Sequence, residues 1–120
     1  MATKVVINIC HGGFGISLEA TKRMAGNGCE DAQYMLNKHK NSNNTDSNFY
    51  EQYYGPRHNP HLVEAVEALG YKSWYEDAKL AVMAVEGDRY IIREYDGFEE
   101  VVEPKDIDWV YVQPWEMNVY

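Results

Sequence analysis

The sequence predicts an α+β domain: a small sheet with one N-terminal central strand and a C-terminal antiparallel meander, packed by about three helices. Three observations predict it. Residues 4–10 read Lys-Val-Val-Ile-Asn-Ile-Cys, a β-branched run of strand length with the unbroken apolar character of a strand covered on both faces. Helix start and stop signals then follow one another as far as Gly70. Hairpin signals take over from Leu80, and the order of helices early and hairpins late is that of an α+β fold.

Each element has its own justification. His11-Gly12-Gly13-Phe14-Gly15 breaks the first strand. Ser17 is placed to cap a helix that starts at Leu18, with Glu19 in the first turn, where the helix dipole favours an acid. Gly26-Asn27-Gly28 stops that helix. Residues 30–40 form a second helical stretch with acids first and Lys38, His39 and Lys40 last, again matching the dipole. Residues 41–48, Asn-Ser-Asn-Asn-Thr-Asp-Ser-Asn, have nothing to bury and read as an exposed polar loop. The aromatic cluster of Phe49, Tyr50, Tyr53 and Tyr54 precedes a turn at Gly55-Pro56. Asn59 as N-cap and Pro60 at the first helical position open a third helix, whose Leu62, Val63, Val66 and Leu69 share a face; Gly70 ends it. Residues 80–85 and 89–95 read as strands around a Gly87-Asp88 turn. Asp96-Gly97 then marks a tight hairpin into residues 98–103. Pro104 closes the meander, and residues 107–112 read as a short edge strand ahead of a tail with Trp115 and Tyr120.

One domain spanning 1–120 is expected, because 120 residues bury one core and the chain shows no internal repeat. Eleven Lys and Arg against nineteen Asp and Glu give a formal charge of −8. That balance argues against a duplex nucleic-acid-binding module, and it fits a solvated protein or one that docks on a basic partner. Ten Tyr, three Trp and three Phe are enough that some rings must lie at the surface, where they often serve binding. Cys10 and Cys29 stand at no motif spacing, so neither a disulfide framework nor a metal site is expected, and a reducing compartment is the simpler inference. With no apolar run near 18 residues and no signal-peptide core after Met1, neither membrane insertion nor secretion is expected.

Two clusters are candidates for binding chemistry. The junction of His11, Gly12, Gly13, Phe14 and Gly15 with the first helix could admit an anion to backbone N–H groups at a helix N-terminus. It matches neither the Walker pattern nor G-x-G-x-x-G and lacks a gripping Lys. The competing reading is a tight turn that admits Phe14 to the core. Arg57, His58 and His61 could hold a phosphate or carboxylate, with Tyr54 or Trp74 to stack a base. No carboxylate completes a local metal set there, although Glu64 follows His61 by three residues. No cofactor is implied. Cys10 and His11 would point to opposite faces of a strand, which leaves Cys10 a core residue. Glu99, Glu100, Glu103, Asp106 and Asp108 read either as an acidic patch or as a charged sheet edge that discourages aggregation.

Lys4-Val5-Val6-Ile7-Asn8, Gly12-Gly13-Phe14-Gly15, Ser17 and Glu19-Ala20 resemble the opening motif K-V-V-I-N-x-C-x-G-G-F-G-x-S-x-E-A of a family of small uncharacterised proteins carried by bacteriophages, prophages and some giant viruses. Pro56-Arg57, Asn59-Pro60, Leu62-Val63, Val66-Glu67 and Leu69-Gly70 are similar to its second block, and Glu94-Tyr95-Asp96-Gly97 before Glu99 to its third. The resemblance covers most of the chain and departs over residues 26–48. It implies a viral setting. With the small size, acidity, aromatic surplus and lack of a catalytic set, the expectation is a virus-encoded accessory protein of the host cytoplasm. It would bind and inhibit a host protein or complex in antiviral defence, a binder rather than an enzyme. The alternatives are a protein that sequesters a nucleotide signal, and a small nucleotide or phosphoester hydrolase using His11, Arg57 and His58.

Overall fold

The computed structural model describes residues 3–41 and 53–112. Residues 42–48 of the polar loop expected at 41–48, Phe49 and Tyr50, and the tail with Trp115 and Tyr120 lie outside the described residues, while Asn41 ends the second helix rather than opening the loop. The elements run β1 (Thr3–Asn8), α1 (Leu18–Gly26), α2 (Glu30–Asn41), α3 (Pro60–Leu69), β2 (Leu80–Val85), β3 (Ile91–Tyr95) and β4 (Phe98–Val102). This is a small α+β fold with three helices and two antiparallel two-stranded sheets among the described residues.

The helices begin where the capping chemistry places them. The Ser17 hydroxyl accepts the Ala20 N–H at 3.1 Å, and the Asn59 side chain accepts the His61 N–H at 2.9 Å. Each bond satisfies one of the donors that a helix N-terminus leaves open. Helices α1 and α3 are tied by Arg23, which grips the Glu64 carboxylate with Nε and Nη2.

The late strands expected to form one meander divide between two ladders. β2 pairs with β1, Val5 opposite Met83 and Ile7 opposite Ala81. β3 pairs with β4 across a two-residue turn at Asp96-Gly97. Positive φ at both turn residues, 50° and 89°, is the conformation that matches strand twist in a tight hairpin. The division has a physical cause at residues 86–90. Both Glu86 and Gly87 donate their N–H groups to the Glu103 carboxylate, at 3.0 and 2.8 Å. That anchor carries the chain from the β1–β2 ribbon to a separate hairpin. β3 accordingly starts at Ile91 rather than Arg89.

Three layers result. Val6, Leu80 and Val82 pack with the helices in the larger core, together with Ile16, Met24 and Leu62. Val5, Ile7 and Val85, on the other face of the ribbon, pack against Tyr90, Ile92 and Val101 of the hairpin layer. β1 is therefore covered on both faces, as its composition requires, with Val5 and Val6 fully buried. Residues 107–112 carry no strand pairing, a correction to the edge-strand expectation. The turn at Pro104–Asp106 is capped by reciprocal Glu103 and Asp106 bonds, and the Trp109 indole donates to the Pro104 carbonyl at 3.3 Å. Those bonds hold residues 103–109 in a turn where the chain was expected to lead into a ladder.

Candidate functional site

The glycine junction, Arg57 and the β3–β4 turn converge on the free edge of β1. In an antiparallel ribbon, alternate residues aim their backbone groups away from the partner strand. Ile9 N–H donates to Lys79 O on the β2 side at 2.7 Å, so Val6 and Asn8 face the other edge. Among the described residues no third strand arrives there. Val6 N–H donates to the Arg57 carbonyl at 2.9 Å, and Asn8 N–H to Glu99 Oε1 at 2.8 Å. Arg57 grips the same carboxylate with both terminal nitrogens, at 2.7 and 3.0 Å. Its guanidinium lies 3.5 Å from the centroid of the Phe14 ring. An Arg–Glu pair thus stands in for a neighbouring strand.

Asn8 completes this junction and is fully buried. Its Nδ2 donates to the carbonyls of Cys10 and Gly97, at 2.6 and 2.7 Å, and its Oδ1 accepts the Lys79 N–H at 2.8 Å. The Cys10 thiol donates to Asp77 O at 3.0 Å, so Cys10 is a half-buried structural contact rather than a core residue.

The glycines allow this convergence. A Cβ on Gly12 would overlap the Asp77 carbonyl, and one on Gly97 would sit 2.5 Å from His11 O. Phe14 is partly buried against the core and packs on Tyr53. The tight-turn reading of residues 12–15 therefore accounts for their contacts. His11 is exposed, with Nδ1 3.2 Å from Asp96 O and its ring 5.7 Å from that of Phe98.

The other candidates are held by separate partners. His58 Nδ1 and the Tyr90 hydroxyl share a hydrogen bond at 2.7 Å, their rings edge to face. Burial raises the Tyr90 phenol above its ordinary range, against a smaller opposing pull from Arg57. His61 is half-buried at the start of α3. Trp74 is partly buried against the core, with its backbone bridged to Ile16. Tyr54 is exposed and lines a groove of about 380 Å³ with Asp31, Tyr34, Met35, Lys38 and Tyr53. Desolvation raises the Tyr53 phenol, while its hydrogen bond from Asn59 works the other way. Among the described residues, no hydrogen bond or ring contact joins His11, Arg57 and His58 to one another, and no His, Cys, Asp and Glu group of metal-binding size occurs.

Two of the five clustered acids are buried and belong to neither reading proposed for that cluster. Glu99 anchors β1 and Arg57, while Glu103 anchors Glu86 and Gly87. The outward face of the hairpin is different in character. Ile91, Tyr95 and Phe98 share it, exposed by 52%, 81% and 42%, with Arg93 and Glu100 paired between them. No helix among the described residues is long and apolar enough to cross a membrane. Compared with known proteins, the chain matches no family model, no curated protein and no solved structure.

Proposed function

We propose that the chain is a virus-encoded accessory protein that binds and inhibits a host component in antiviral defence, and that it does so through the outward face of the β3–β4 hairpin. The observation that carries this reading is the set of Ile91, Tyr95 and Phe98 on one exposed two-stranded face. Aromatic rings that are rigid and amphipathic supply contact area at low entropic cost and are enriched at interface centres. Arg93 and Glu100 give that face polar groups, and a chain charge of −8 favours a basic partner surface. The viral setting and the inhibitory role rest on the resemblance of the opening motif. A pull-down from bacterial lysate with the full chain should recover one host protein or complex at stoichiometric amounts. A Tyr95→Ala/Phe98→Ala variant with an unchanged unfolding transition should lose it. Capture undiminished by the double variant would remove the hairpin face from the proposal, and no capture even after crosslinking would remove the binding reading.

A second reading, sequestration of a nucleotide signal, is favoured by the groove beside α2, where Tyr34 and Tyr54 are exposed by 68% and 86% and Lys38 lies alongside. Two tyrosines and a cation suit base stacking and a phosphate. Thermal unfolding with cyclic nucleotides and ADP-ribose derivatives tests it. A ligand at 100 times its Kd stabilises by about 2.7 kcal/mol, and Tyr34→Ala should abolish the shift. A flat response across the panel eliminates this reading.

A further inference from the structure

Asn27-Gly28 closes α1, and it is the one Asn-Gly pair in the chain. The dipeptide carries its own chemistry. Asparagine amides are among the thermolabile groups of proteins. A following glycine has no side chain to keep its nitrogen away from the neighbouring carboxamide. Both residues are exposed, and Gly28 holds a φ of 97°, which glycine adopts without strain. In the closed turn both reacting groups are engaged. Asn27 Nδ2 donates to Glu64 Oε1 at 3.2 Å, and Gly28 N–H donates to Ala25 O at 3.1 Å. Arg23 grips the same Glu64 carboxylate, so the clamp that joins α1 to α3 also holds the Asn27 amide. The clamp lies at the surface, where a turn opens locally at low free energy.

We propose that Asn27 is a site of spontaneous deamidation in the folded protein, gated by opening of the α1–α2 turn and of its bond to Glu64. When the turn opens, the Gly28 nitrogen gives its proton to solvent base and attacks the Asn27 carboxamide carbon. The new N–C bond closes a cyclic imide as the bond to Nδ2 breaks, and ammonia leaves with a proton from water. Water then opens either imide carbonyl and returns aspartate or isoaspartate at position 27. The balance is one water consumed and one ammonia released, with no change of oxidation state. Either product alters the junction. Aspartate lacks the Nδ2 donor and sets a second carboxylate beside that of Glu64. Isoaspartate adds a carbon to the main chain before Gly28, which displaces the Gly28 and Cys29 amides from Ala25 O and Met24 O. The modification therefore loosens the end of α1 from its neighbours and adds a negative charge.

The full chain is held in neutral buffer, with a parallel sample in urea, and peptide mapping follows aspartate and isoaspartate at each asparagine. In urea Asn27 should convert ahead of the other asparagines; in buffer it should convert measurably but more slowly. Glu64→Ala should speed conversion in buffer about threefold, the change in open population that loss of a surface contact of this strength brings. Hydrogen exchange at the Gly28 amide should quicken in that variant while the Val5 and Ile7 amides hold, which separates local opening from a variant that fails to fold. Asn27 that stays intact in buffer while urea converts it overturns the proposal, as does equal conversion in the two samples. A folded Glu64→Ala variant that converts at the wild-type rate overturns the gate.

Discussion

Asn8 is a fully buried polar side chain at the centre of the junction between β1, the segment before β2 and the hairpin. It has no exposure, and it satisfies backbone groups from three places: its own strand end, the segment before β2 and the hairpin turn. Asn8→Ala would take that partner from Cys10 O, Gly97 O and the Lys79 N–H at a part-buried junction, and orphaned groups there cost more than an average hydrogen bond is worth. Chemical denaturation should show a loss of about 2–4 kcal/mol, while a loss within about 0.5 kcal/mol would show that water replaces the amide. Asn8 was not singled out in the sequence, where it is one residue of a β-branched run, because of its three partners only Cys10 lies near it in the chain. Glu99 was harder to single out. Beside Glu100 it looks like one more surface acid, and only strand alternation separates them, turning Glu99 inward to Arg57 and Glu100 outward to Arg93. Arg57 looked like a ligand-binding residue for the same reason: its carboxylate partner stands 42 positions later.

At the scale of elements, local chemistry was readable wherever the signal was local. Ser17, Asn59-Pro60 and Asp96-Gly97 act within three residues of themselves, and each marks its boundary in the structure. Strand pairing depends instead on which edge is closed by what, and the anchoring of Glu86 and Gly87 by Glu103 could not be read from spacing. The contact of α1 with α3 supplies a pH test. The hydrogen bond from Arg23 is the main cause that holds the Glu64 carboxyl below its ordinary value of 4.5, with partial desolvation opposing it. A lowered folded-state pKa contributes stability above the unfolded value and loses it as pH falls through the folded one. Both side chains are exposed, so the contribution is small and salt-sensitive. Wild type should therefore melt above Glu64→Gln at neutral pH, and the gap should close as pH drops below 4.5. A gap that persists in acid would mean that packing, not charge, joins the two helices.

The whole molecule is a ribbon held between two unequal layers. The helical side shares a large apolar core with Val6, Leu80 and Val82, whereas the hairpin rests on Val5, Ile7 and Val85 through three side chains of its own layer. Polar bonds from Glu99 and Gly97 complete the hairpin's attachment. Segments with few buried apolar contacts open locally at lower free energy than the core they lean on. Native-state hydrogen exchange should therefore find the ladder amides of Arg93 and Glu100 opening below those of Val5 and Ile7. Val101→Ala, which thins the smaller cluster, should lower the protection of the hairpin amides further and leave α1 unchanged. This ordering bears on binding, because a hairpin that opens on its own can adjust its Tyr95 and Phe98 face to a partner while the helices and β1 stay fixed. Equal protection in hairpin and ribbon, reduced together by Val101→Ala, would show one cooperative unit and make the exposed face a rigid surface instead.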